Sequence, residues 1–147
     1  MNYKSNAKLT TSMEDYLEMI YRLSINDGFT RINELAQQLS VQPPSVTRMI
    51  QKLASIGLVD YEKYGVVRLT EAGKKRGSSL LKRHNIIMEF LKTIGVTLGI
   101  ETETEKIEHA ISKDTLLNIV DFLDFLEKNP DIMKKLRMYQ ESTIDNK

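Results

Sequence analysis

Apolar residues recur at helical spacing through the first third of the chain, then switch briefly to the alternation of strands. Tyr16, Leu17, Ile20, Tyr21 and Leu23 fall on one side of a helix. Thr11-Ser12-Met13-Glu14 ahead of them fits a capping box, with Thr11 as N-cap and Glu14 reaching back. Asn26-Asp27-Gly28 should end that helix. A short second helix is expected after Thr30 as its cap, with Ile32, Leu35, Ala36 and Leu39 inward. Ser40-Val41-Gln42 makes a tight break. Pro43 and Pro44 then open a third helix, where proline costs nothing because first-turn N–H groups lack helical partners. Val46, Met49, Ile50 and Leu53 line its inner side, and Gly57 stops it. Val59 and Tyr61, then Val67 and Leu69, alternate around a glycine-containing turn, which predicts a small hairpin. Helix, turn, helix and hairpin in this order give a winged helix-turn-helix.

The second half reads as helical throughout. A long helix is expected from Glu71 to Ile94, basic at first and then apolar, with Leu80, Leu81, His84, Ile87, Met88 and Leu91 on a shared face. Gly95 and Gly99 bracket a loop. Beyond it lie a helix bearing Glu105 to His109, one from Lys113 to Lys128, and a last one opened by Asn129-Pro130. The apolar surface of the penultimate helix (Leu116, Leu117, Ile119, Val120, Phe122, Leu123, Phe125, Leu126) is wider than one stripe; a subunit interface and a plain core helix both fit it. Residues 1–10 are expected to form a flexible arm, and the polar tail from Ser142 to fray. The fold class is therefore mainly α: an N-terminal winged helix-turn-helix over residues 1–72, then an α-helical domain over residues 73–147.

Composition narrows the function classes. The 147 residues are 41% hydrophobic and 28% charged, which suits one ordinary domain or two small ones. No apolar run is long enough to span a bilayer, and the first six residues lack the apolar core of a secretory signal, so a cytoplasmic protein is expected, without a membrane partner. The absence of cysteine excludes disulfides and thiolate metal sites. A net charge of +1 hides an asymmetry. Residues 30–83 carry ten Lys/Arg against four Asp/Glu, and residues 99–131 carry nine Asp/Glu against three Lys. A basic lobe suits an anionic partner and an acidic lobe suits cations, although two solvated faces would look the same.

Two sets of residues carry candidate chemistry. The outer face of the third helix presents Pro44, Ser45, Thr47, Arg48, Gln51 and Lys52, with Arg31, Lys63 and Arg68 flanking it from the second helix and the hairpin. Arg and Lys pair with guanine acceptors, Gln with adenine, and hydroxyls with phosphate oxygens. Any solvated helix can look like this; its place as the second helix of the motif, followed by a wing, is what points to DNA. The other set is acidic. Glu105, Glu108 and His109 stand at i, i+3 and i+4, so a helix points them the same way. Asp15 and Glu18 form a second such pair, and His84 is the only other histidine. Taken singly, Asp15 and Glu18 read as acids favoured by a helix N-terminus, and His84 as a satisfied core histidine. Together, four carboxylates and two imidazoles would balance two divalent ions. A sulfur-free donor set suits manganese, with iron(II), cobalt, cadmium or zinc as substitutes. A di-metal enzyme fits poorly: carboxylate oxidases use Glu-x-x-His, but Lys106 and Leu81 stand three before the two histidines. Nor is there a phosphate loop, a nucleophile elbow or a His-Glu-x-x-His motif. A winged-helix regulator sensing another metal or a small organic molecule remains the alternative.

With those residues in view, the chain resembles the diphtheria toxin repressor family of metal-activated repressors, over about residues 11–139. The segments that carry the resemblance are Ser12-Met13-Glu14-Asp15-Tyr16-Leu17-Glu18, Pro44 to Leu53, Tyr61-Glu62-Lys63-Tyr64, Arg83-His84 and Ile107-Glu108-His109. The resemblance implies a homodimer, with residues 73–147 as the helical dimerisation domain, and a binuclear manganese site matching Asp15, Glu18, His84, Glu105, Glu108 and His109; a palindromic DNA operator and no organic cofactor are expected with it. The iron-responsive branch has methionine at the place of Asp15 and cysteine at that of Glu105; the oxygen donors here favour the manganese branch. Met88 stands where the iron branch's ancillary site needs glutamate, and the SH3-like domain of longer members is absent from these 147 residues.

Overall fold

The computed structural model describes residues 8–147, so most of the expected N-terminal arm lies outside the described residues. The chain divides between Lys82 and Arg83 into two compact units. In the first, α1 (Thr11–Ser24), β1 (Thr30–Arg31), α2 (Ile32–Leu39), α3 (Pro43–Ser55), β2 (Val59–Glu62) and β3 (Val66–Leu69) precede the start of α4 (Glu71–Ile94). The strands form an antiparallel sheet in the order β1-β3-β2, with Thr30 opposite Val67 and Tyr61 opposite Val67 on the other side. The predicted hairpin thus gains a third strand. Two residues are too few to show a period, which is why β1 escaped the sequence.

Leu17, Ile20, Leu35, Val46, Ile50, Leu53, Leu58, Val59 and Val67 close the core of this unit, and Leu80 of α4 joins it. Apart from Leu58, these are positions that helical and strand periodicity selected, and Tyr61 is 44% exposed despite its alternation with Val59. Two caps differ from expectation. Thr10 caps α1, its hydroxyl accepting from the Met13 amide at 3.2 Å, so the cap lies one residue before Thr11. Thr30 is strand rather than cap; Arg31 precedes α2, while the buried Thr30 hydroxyl donates to Glu34 at 2.7 Å. Thr70 ties α4 to the end of α3: its hydroxyl donates to Gly57 O at 2.7 Å and accepts from the Gly73 amide at 3.1 Å. Gly73 there packs so close to Leu58 that a Cβ would overlap the Leu58 carbonyl oxygen.

The second unit holds the rest of α4, then α5 (Ile100–Glu108), α6 (Lys113–Lys128) and α7 (Pro130–Ser142). Ile87, Leu91 and Leu126 are buried, and Phe90 meets Phe122 edge-on at 6.3 Å between centroids. Arg137 and Gln140 of α7 satisfy the carbonyls at the end of α4, reaching Thr93 O at 2.6 Å and Ile94 O at 2.7 Å. Those carbonyls have no partner inside their own helix, so side chains from a neighbour fix where α4 ends. Beyond α7, residues Ile144–Asn146 form a short 3-10 turn where fraying was expected.

Candidate metal centre and nucleic-acid interface

In the second unit one buried carboxylate meets two imidazoles. Glu108 ends α5 and is 3% exposed; its Oε2 lies 2.6 Å from His84 Nδ1, and its Oε1 lies 3.5 Å from His109 Nε2. His84 is buried on the inner face of α4, as its spacing required. His109 is the C-cap of α5, half-buried, and still helical in its backbone. The helix thus continues just far enough to keep His109 on the side that i, i+4 spacing assigned it. Glu105 lies one turn earlier on α5 and is exposed.

A carboxylate removed from water is costly unless positive charge or donors surround it. Nitrogen and oxygen donors converging here with no thiolate, in a chain without cysteine, have the donor chemistry of a borderline-hard divalent ion. In the first unit, Asp15 is exposed on α1 and Glu18 is half-buried one turn on, its Oε2 held at 2.6 Å by Arg22. That ion pair was not anticipated, although Glu18 and Arg22 stand at the i, i+4 spacing that favours it.

The first unit also carries the basic face. Pro43 and Pro44 open α3 as expected. Pro44, Ser45, Arg48, Gln51 and Lys52 are exposed along it, and Thr47 is half-buried with its hydroxyl donating to Pro43 O at 3.2 Å. At the wing, Lys63 is exposed. Arg31 Nη1 donates to Tyr64 O at 3.0 Å, and Arg68 Nε pairs with Glu62 Oε1 at 3.0 Å. Both guanidinium carbons lie near the Phe29 ring, 5.5 Å and 5.2 Å from its centroid. Sequence reasoning passed over Phe29, and over Glu62 as the partner of Arg68. Register could have found Glu62: it faces Val66 across the ladder, placing it diagonal to Arg68 on the same side of the sheet.

The second unit leaves Leu117, Val120, Phe122 and Phe125 of α6 exposed in this single chain. Among the described residues no helix is long and apolar enough to cross a membrane.

Comparison with known proteins agrees with both halves. Residues 8–67 match the family profile described as "Iron dependent repressor, N-terminal DNA binding domain", and residues 70–137 match "Iron dependent repressor, metal binding and dimerisation domain". The chain is 45% identical over 128 residues to a protein of Lysinibacillus sphaericus named "HTH-type transcriptional regulator MntR", covering 86% of this chain and 92% of that one. A Bacillus subtilis protein of the same name is 40% identical over 135 residues, covering 91% and 95%. Among solved structures, "Structure of the manganese regulator SloR" superposes with a TM-score of 0.68 at 34% identity over 80% of this chain. The chain spans about half the length of that structure, 55%. With one half matching the family's DNA-binding domain and the other its metal-binding and dimerisation domain, the chain belongs to the iron-dependent repressor family of transcriptional regulators, not to an enzyme family.

Proposed function

We propose that this protein is a cytoplasmic, manganese-activated, sequence-specific DNA-binding repressor that controls manganese uptake. The observation that carries the reading is the buried Glu108 carboxylate with His84 and His109 against it, in a chain whose other unit offers an exposed basic recognition helix. Similarity over 80% of the chain to a solved structure titled as a manganese regulator supports the choice of metal.

His84, Glu105, Glu108 and His109 supply four ligands from the second unit, and Asp15 and Glu18 supply two from α1. Two Mn²⁺ ions bound by these six groups would cancel the charge of the four carboxylates and join residues of both units. Fe²⁺, Co²⁺, Cd²⁺ and Zn²⁺ offer compatible coordination chemistry and are the substitutes to test. Arg22 engages Glu18 through Oε2, which leaves the other carboxylate oxygen to serve as a ligand. The exposed apolar residues of α6 pair two copies of the chain. Each α3 then enters a major groove through Ser45, Thr47, Arg48, Gln51 and Lys52, with Pro44 at its leading end. Arg31, Lys63 and Arg68 belong to the basic wing beside it.

A palindromic operator suits a twofold pair of recognition helices about 34–36 Å apart, or a multiple of that distance. Linking α1 to the dimerising half narrows the distances the pair can adopt. A coupling of about 1–3 kcal/mol corresponds to roughly 5- to 150-fold tighter operator binding. The deciding experiment is a titration of the full chain onto DNA from upstream of its own gene, with and without manganese. A change in affinity below about twofold would remove the switch. Calorimetry separates the rival sensor of a small organic molecule: saturable uptake near two Mn²⁺ per chain supports the metal reading, and no heat supports the rival.

A further inference from the structure

The solvent face of the small sheet is built around an aromatic residue that no DNA-contact reasoning requires. Arg31 on β1 stands opposite Val66 on β3, and Val66 stands opposite Glu62 on β2. Side chains at directly paired positions point to the same face, and Arg68, two residues beyond Val66, shares it. Arg31, Glu62 and Arg68 are all exposed there, whereas Thr30, Val67 and Leu69 on the other face are buried. Phe29 meets both arginines from outside the strands, with the guanidinium carbons 5.5 Å and 5.2 Å from its centroid. Two cations at one ring repel each other. The negative face of the ring, the Glu62 carboxylate and the Tyr64 carbonyl offset that repulsion.

The last of these acceptors matters most. Arg31 Nη1 holds the carbonyl of Tyr64, and Tyr64 is one of only two non-glycine residues with positive φ among those described (φ 63°, ψ 27°). Its side chain is 91% exposed. A large residue in the left-handed region is disfavoured sterically, and an aromatic ring in water gains nothing from burial. Such strain persists where surrounding structure enforces it, commonly for function. Lys63, beside it, is exposed too.

We infer that Phe29 is a positioning residue for DNA binding: with Arg31 and Arg68 on its ring, it fixes the wing tip so that Tyr64 and Lys63 contact the sugar-phosphate backbone beside the groove read by α3. The Tyr64 hydroxyl donates to a phosphate oxygen and Lys63 neutralises a neighbouring one. Arg31 and Arg68, already engaged within the wing, act through its geometry. This inference rests on the proposed reading of α3 as the recognition helix, so its test includes that helix.

The test uses the full chain with saturating Mn²⁺ and a fluorescent duplex from upstream of its own gene, over a range of salt. Phe29→Leu keeps an apolar side chain but removes the ring face, and should weaken binding about tenfold, with Phe29→Trp restoring most of it. Tyr64→Asn should weaken binding similarly while leaving the melting temperature unchanged or raised, because asparagine tolerates the left-handed backbone better than tyrosine. The double variant should be little worse than either single one, since the two act as a unit. Lys63→Ala should lower the slope of log affinity against log salt by about 0.9, one phosphate contact. Wild-type affinity in Phe29→Leu, or fully additive losses in the double variant, overturns the inference. Arg48→Ala is the control: if it weakens binding while Phe29→Leu does not, only the wing assignment falls. If neither variant changes affinity, the reading of α3 falls as well.

Discussion

His84 Nδ1 and Glu108 Oε2 lie 2.6 Å apart although 24 positions separate them in sequence, and both residues are buried. The contact fastens α5 onto α4 inside one unit. Glu108→Gln preserves the shape and one acceptor oxygen but removes the negative charge. We expect manganese affinity to fall by on the order of 100-fold, at least what is lost when groups merely supporting a metal ligand are removed. Circular dichroism should remain that of the native fold, and calorimetry with Mn²⁺ would read the loss. Undiminished affinity would take Glu108 out of the ligand set.

Glu105 makes the complementary case, because it is exposed. Glu105→Ala should leave stability within about 0.5 kcal/mol, as substitutions at exposed positions without special contacts do. It should still weaken manganese-dependent operator binding, while salt-dependent binding to random DNA stays at its wild-type level. A large drop in melting temperature would assign Glu105 a structural role instead.

Phe125 and Leu117 are 51% and 54% exposed on α6 in the single chain, a costly surface unless a second copy covers it. Phe125→Glu would place a charge in that surface and should convert the dimer to monomer in sedimentation. Each monomer carries one α3, so operator affinity should fall with it. A dimer that survives the substitution would move the interface elsewhere.

Much of this was legible because burial imposes a period on sequence. Leu17, Ile20, Val46, Ile50 and Leu53 are core because helices put every third or fourth residue inward, and the bounds of α4 and α6 followed from the same pattern. His84 was readable as inward-facing for that reason. Placing it against Glu108 required a tertiary contact that no local period encodes. Thr10 displaced Thr11 as cap because two adjacent threonines offer the same chemistry, and only backbone geometry chooses between them. Phe29 stayed hidden: it follows a glycine in a loop, and its partners Arg31 and Arg68 come together through strand pairing.

Gly73 supplies a test of the packing that seats the first turn of α4. The Thr70 hydroxyl binds both Gly57 O and the Gly73 amide, drawing the first turn of α4 against Leu58. A Cβ on Gly73 would overlap the Leu58 carbonyl oxygen, which is backbone and cannot rotate aside. In an open helix, Gly→Ala would stabilise by about 1 kcal/mol. Here overpacking should outweigh that gain, and Gly73→Ala should destabilise the first unit by about 1–3 kcal/mol, seen as a lower midpoint in urea. Because α4 also bears His84, a shifted first turn should weaken the manganese response of operator binding. An alanine variant of raised stability would mean that α4 meets the Leu58 strand end more loosely than this hydrogen-bonded junction requires.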